Sequence, residues 1–340
     1  MRAGFGLVRT ATPEYLRFAA QFGATDISIN LNRAELSSAG GRWELQELVK
    51  LRQSVEMFGL KLSALENVPT DFYDHIMLGG PRRDEQIENM IYTVRNIARA
   101  GIPIFGYNWM PTNSLRTPST QIRAGAEATA FDYEIAQESP LTHDREYTEE
   151  EMWGNLEYWI KIITPIAEEE GIRLGIHPCD PPISPLGGIP QLLRSFDSYK
   201  RLTEIVDSPS NAIEFCQGTF SEMADSADGG IYRTIEYFVS RKKILYVHFR
   251  NVSDTVPKFQ EEFINTGYVD MYKAMQIYNK HDFDGFFIDD HVPHTDQDTP
   301  WGHRGRAFAN GYIQAMIEAV QKDGQCAQDL NKSDRQRRSI

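Results

Sequence analysis

The chain has 340 residues, 41% of them hydrophobic and 24% charged, which is the composition of an ordinary globular protein. Its net charge of −13 argues against a nucleic-acid partner, and no apolar run approaches the roughly 18 residues of a membrane span. Three cysteines (Cys179, Cys216, Cys326) without a CxxC pair argue against a disulfide scaffold, and the N-terminus shows no secretory pattern, so a cytoplasmic location is expected.

Apolar or β-branched runs alternate along the chain with amphipathic segments. A strand predicted over 3–8 leads to a helix over 13–23, and a strand over 26–31 to a helix over 43–59. Strands at 61–67 and 102–109 precede helices at 82–101 and 148–171. Strands at 172–178, 212–218, 244–252 and 284–291 precede helices at 196–207, 230–241, 270–282 and 304–321. Apolar residues recur in these helices every three or four positions, and several helices stop at a glycine (Gly23, Gly59, Gly101, Gly171). Eight strands alternating with eight helices predict a parallel sheet, closed most simply as a (β/α)8 TIM barrel. An open doubly wound sheet is the rival, but no strand is followed by GxGxxG or GxxxxGK[ST]. Residues 1–322 are expected to form this single barrel, with 111–147 as a long, polar, lid-like loop. The segment 323–340 is polar and lacks apolar periodicity, and is expected to be an irregular tail.

Barrels of this type build their sites at the C-terminal ends of the strands. Those ends offer Glu66 and Asn67, Tyr107 and Asn108, His177, Cys216, His248 with Arg250, and Asp290 with His291. Taken singly, His177 reads as a turn histidine and Cys216 as a buried hydrophobe. Together they put nitrogen, sulfur, nitrogen and oxygen donors on four consecutive strands spaced about 4.8 Å apart. Such a set suits Zn²⁺ or Fe²⁺ by softness, and Mn²⁺ where open positions take oxygen ligands.

The runs "LGIHPCDPP", "LGGIPQLLRSFDSYKRL", "EFCQGTF", "YVHFRNV", "GYVDMYKAM" and "DDH", with "ALENVP" and "IARAGIPIFGYNWMP" ahead of them, resemble the D-mannonate dehydratase family. The resemblance spans most of residues 5–320. It implies a xylose-isomerase-like barrel, a divalent metal (Mn²⁺ or Fe²⁺), and His177, Cys216, His248 and Asp290 as its ligands. It also implies loss of water from D-mannonate, a small sugar acid, to give 2-keto-3-deoxy-D-gluconate in hexuronate catabolism, by a homo-oligomeric hydro-lyase. On that reading His291 is the candidate base and Arg250 the candidate carboxylate binder, while Asn108, Arg116, Asp180 and Glu66 are candidates to hold the polyol. This chain departs from the family pattern at Ile288-Asp289, where an Arg-Pro pair is implied, and at Val292 and Cys179. Trp301 stands where a tyrosine is implied, with His294 or His303 as substitute proton donors. The other functions that fit are a sugar isomerase or epimerase, a dehydratase of a different aldonic acid, and a sugar-binding barrel without turnover.

Overall fold

The computed structural model describes residues 1–8, 11–30, 36 and 40–337. The chain begins β1 (Arg2–Val8), α1 (Pro13–Gln21), β2 (Asp26–Asn30), α2 (Leu45–Glu56) and β3 (Lys61–Glu66). It continues with α3 (Asp74–Leu78), α4 (Arg83–Arg99), β4 (Ile104–Asn108), β5 (Thr117–Gln121), β6 (Glu127–Asp132) and α5 (Tyr133–Ala136). Next come α6 (Glu149–Glu170), β7 (Arg173–His177), α7 (Phe196–Ile205), β8 (Asn211–Cys216), α8 (Gln217–Glu222) and α9 (Gly230–Ser240). The last elements are β9 (Ile244–His248), β10 (Asn251–Val252), β11 (Lys258–Glu262), α10 (Met271–Lys280), β12 (Phe286–Ile288) and α11 (His303–Arg337).

Parallel pairing closes β1-β12-β9-β8-β7-β4-β3-β2 into a barrel, the predicted (β/α)8 fold. The eight predicted strands coincide with these eight, apart from ragged ends; Leu31, the last residue of the second prediction, lies outside the described residues. The strands read as continuous apolar runs because both faces are covered. β8 is buried at all six positions. Its inward side joins Ala64, Ile104, Leu245, Tyr246, Phe286 and Ile288 inside the barrel, and its outward side packs on the helices. Gly106 is needed where it stands, since a Cβ there would lie 2.1 Å from Glu214 Oε2 and 2.5 Å from the Tyr246 hydroxyl. The space the missing side chain leaves is filled by a buried carboxylate. Among the helices, α6 starts in a reciprocal capping box between Thr148 and Glu151 and stops at Gly171 in the left-handed conformation. Among the described residues, no helix is long and apolar enough to cross a membrane.

Two expectations differ from the structure. The segment 111–147 is not irregular: it contains β5, β6 and α5. β5 and β6 form an antiparallel pair, and β11 and then β10 extend it into a four-stranded sheet, β10-β11-β6-β5, outside the barrel. We call this sheet the cap. β11 alternates in burial, the period of a strand with one wet face, and β6 is buried only at Ala128 and Phe131, so the exposed positions make the segment look polar. Phe131, Ala136, Leu186, Val252 and Phe259 form its separate small core. The polar C-terminal segment also differs, because α11 continues as helix from His303 to Arg337; polar composition does not disfavour a helix rich in Gln, Lys, Arg and Asp that extends a packed one. Residues 338–340 lie outside the described part.

Candidate active site

The ends of β7, β8 and β9 bring His177, Cys216 and His248 together, with donor atoms all within 4.8 Å of one another. Pairing sets this level, since Cys216 is in register with His248 and His248 with Ile288. Two residues beyond Ile288, Asp290 adopts φ 53, a left-handed conformation that Asp tolerates better than most residues. Its Oδ2 lies 3.3 Å from His248 Nδ1 and 3.7 Å from Cys216 Sγ.

Each donor is prepared for a cation. His177 Nδ1 lies 2.7 Å from the Pro178 carbonyl oxygen, an acceptor to which the Nδ1–H of the neutral ring donates, leaving Nε2 with a lone pair. Cys216 opens α8, and its sulfur accepts from the Thr219 amide at 3.4 Å and hydroxyl at 3.2 Å. Burial pushes the thiol up, but the Arg250 guanidinium and His177 outweigh it and bring Cys216 down to about 5, a thiolate at neutral pH. His248 Nδ1 is buried and makes no hydrogen bond. On the other edge of that ring, Nε2 lies 2.5 Å from Glu66 Oε1 and 3.3 Å from Glu214 Oε1, and the Tyr246 hydroxyl donates to Glu66 at 3.2 Å. A ring with one edge held by a carboxylate and the other turned to the donor cluster is the usual arrangement of a metal-bound histidine. Two imidazoles, a thiolate and a carboxylate fit a divalent transition metal.

Beside the cluster, Arg250, two residues past His248, has only 3% of its side chain exposed. Nε donates to Asp290 Oδ2 at 2.8 Å, Nη1 to Glu222 Oε1 at 2.9 Å, and Nη2 to the Thr219 hydroxyl at 3.0 Å. Asp180 and Glu261 stand at 3.4 and 3.5 Å. Burial raises the Glu222 carboxyl well above the usual range, with the charge of Asp180 adding to it. Next to Asp290, His291 lines a cavity of about 1450 Å³, whose lining also includes Tyr15, Asn108, Arg116, Glu261, His294, Trp301 and Arg306.

The site residues expected from the sequence therefore separate. His177, Cys216, His248 and Asp290 meet at one place. His291 and Arg116 line the cavity; Arg116 donates to Asp180 at 2.7 Å, while its buried Nε has no partner. Asn108 also lines it, but its side chain is engaged by Asn67, the Tyr73 hydroxyl and the Met110 amide. Asp180 lies behind Arg116. Arg250 and Glu66 are not in the cavity: the first has every nitrogen bonded to protein, and the second is 1% exposed against His248. Glu66 ends β3 and Arg250 lies two residues past β9, on the inward alternation the sequence shows, but the buried protein partners that occupy them are not shown by it. Asp289 is 1% exposed, paired with Arg306 at 2.7 Å. Trp301 packs edge-on to Tyr15 at 5.4 Å. His294 lines the cavity, whereas His303 is tied to Asp298 and Thr299. Cys179 is fully buried and pushed up to about 12 by that burial, so it stays a thiol.

The sequence reading passed over Glu214, Glu222 and Glu261. Glu214 left a signal: a carboxylate in the apolar run "AIEFC", two residues before Cys216 and so on the same face of the strand. Glu261 left a weaker one in the alternation of "KFQEE". Glu222 left none.

A parallel eight-stranded barrel with such donors at its strand ends is of the xylose-isomerase-like class. A xylose isomerase domain protein from Alicyclobacillus acidocaldarius subsp. acidocaldarius shares the fold, with a TM-score of 0.64 at 12% identity over 94% of this chain and 99% of that one. The family model for D-mannonate dehydratase (UxuA) matches residues 12–145 and 137–327, and the chain belongs to that family. Mannonate dehydratase of Streptococcus pneumoniae (strain 70585) is 31% identical over 312 residues, covering 82% of this chain and 84% of that protein. The crystal structure of mannonate dehydratase from Streptococcus suis serotype2 superposes with a TM-score of 0.84 at 27% identity, over 96% of this chain and 95% of that one.

Proposed function

We propose that the protein is a divalent-metal-dependent hydro-lyase that converts D-mannonate to 2-keto-3-deoxy-D-gluconate and water. The observation that supports this reading most is the clustering of His177, Cys216, His248 and Asp290 next to His291, which lines an open cavity, in a member of this family. Those four residues would hold Mn²⁺ or Fe²⁺, which supplies a Lewis acid for the negative charge that develops when the C2 proton leaves.

The chain's own groups account for the rest. His291 takes the C2 proton, since it lines the cavity beside Asp290 with 30% of its side chain exposed. Arg116 receives the substrate carboxylate in place of Arg250, whose nitrogens are all occupied; a partly paired guanidinium at a cavity wall retains donors for an incoming anion. His294 returns a proton to the departing 3-hydroxyl, a task the Trp301 indole cannot perform. Dehydration of a different aldonic acid is the second reading, favoured by Trp301 in the cavity lining and by Asp289, which pairs with the cavity-lining Arg306 where the family pattern implies an Arg-Pro pair.

The test is incubation of Mn²⁺-loaded protein with D-mannonate and a panel of other aldonic acids, scored for 2-keto-3-deoxy product. Keto-deoxy product from mannonate supports the first reading, and product from another aldonate alone supports the second. Epimers or aldose–ketose pairs without loss of water would overturn both.

A further inference from the structure

We infer that Glu261, delivered by the cap rather than by the barrel, is the positioning residue that sets the tautomer of His291 and aims its free ring nitrogen at the substrate. The inference rests on the reading of His291 as base. Glu261 Oε1 lies 2.5 Å from His291 Nδ1, nearer than to either arginine that also faces this oxygen, Arg250 at 3.5 Å and Arg116 at 3.6 Å. A carboxylate accepts and cannot donate, so the proton of a neutral imidazole resides on Nδ1 and the lone pair on Nε2. Nε2 is 3.9 Å from Asp290 Oδ1, beyond hydrogen-bond range, and is therefore not consumed by the neighbouring carboxylate.

Strand geometry fixes Glu261 in this place. It shares the inward face of β11 with Phe259, which packs in the small core of the cap with Phe131 and Val252. β11 is held on one side by β6 (Gln260 opposite Ala130) and on the other by β10 (Glu261 opposite Val252). When the C2–H bond breaks, the electron pair stays on the substrate as the enediolate and the proton goes to Nε2. The Nδ1–H of the resulting imidazolium is already shared with Glu261, so the positive ring forms beside a charge prepared for it. No oxidant or reductant enters.

The experiment compares the wild type with Glu261→Gln and Glu261→Asp, all metal-loaded and matched for metal content. A glutamine amide can donate to Nδ1 and so move the proton to Nε2. Glu261→Gln should lower kcat by about 10²–10⁴-fold, the range seen when a base or its orienting carboxylate is lost, with KM changed less than about threefold. Glu261→Asp should recover part of the loss. A purely structural role would instead lower metal content or thermal stability in both variants alike. Wild-type kcat in Glu261→Gln, or a raised KM with kcat kept, overturns the inference. ¹⁵N-histidine NMR of the Zn²⁺-loaded protein reads the tautomer without turnover: Nδ1–H at His291 in the wild type, lost in Glu261→Gln, is the expected result. A wild-type ring protonated on Nε2 overturns the inference even if no aldonate is dehydrated. A wild type with the expected tautomer but no dehydratase activity would count against the proposed function alone.

Discussion

Arg250 looks, in a one-dimensional reading, like an anion-binding arginine two residues past a metal-ligand histidine. In three dimensions it is the hub on which Asp290, Glu222 and Thr219 are fixed. Replacing it with methionine would leave carboxylates buried without their counter-charge, and removing one partner of a buried pair costs about 3–5 kcal/mol. Urea unfolding of Arg250→Met should show at least that loss, together with poor metal retention, whereas Arg116→Met, which still leaves Asp180 beside Arg250, should raise KM for the acid at a smaller cost in stability. Glu66 is the corresponding case among the carboxylates. Because it holds the far edge of His248, Glu66→Gln should weaken metal binding about 10–100-fold, the usual effect of losing a ligand's outer partner, as measured by chelator competition. The identities of the four converging donors were legible in the sequence because strand ends in a barrel share one level. The engagement of Arg250 and Glu66 by other protein groups was not legible, since alternation tells which way a side chain points and not what already occupies its end.

Helix α6 shows how much of an element is written in local chemistry. Its start, TEEE, and its stop, EEEG, are both visible in the sequence, and the structure contains the capping box and the left-handed Gly171 they imply. Thr148→Ala should cost about 1 kcal/mol in equilibrium unfolding at neutral pH. The reciprocal half of that box titrates. The Thr148 backbone amide and then Arg145 hold Glu151 down at about 2, below the ordinary glutamate range. A lowered folded-state value means the contribution is complete above the ordinary range near 4.3 and disappears as the pH falls towards 2. The gap in stability between wild type and Glu151→Gln should therefore close over that interval. The cap was harder to read. β5 is mostly exposed, and β11 finds its partner strand, β6, more than a hundred residues earlier in the chain, so no local pattern announces the pairing.

At the scale of the whole molecule, the proposed metal site would tie folding to metal and to protons. Burial alone would lower the His248 pKa, but Asp290 and Glu66 raise it well above the usual imidazole range, so the metal-free ring keeps its proton at neutral pH. Loading must expel that proton. Metal affinity should fall as the pH drops, and calorimetry in buffers of different ionisation enthalpy should register proton release on binding. Ion bound only by the folded chain should also stabilise it, by about 2.7 kcal/mol at a hundred times Kd, so denaturant midpoints should rise with Mn²⁺ and fall back with chelator. Midpoints indifferent to the ion would exclude the cluster as its binding place.

The cap is built from two excursions of the chain, one after β4 and one after β9, each anchored chiefly by the other. It has its own small core, apart from the main one. Such an annex can come loose while the eight staves remain closed. On gentle warming, turnover should therefore vanish at a temperature where circular dichroism still reports an intact barrel, and cooling should bring it back, because only the shutter over the ion has swung away.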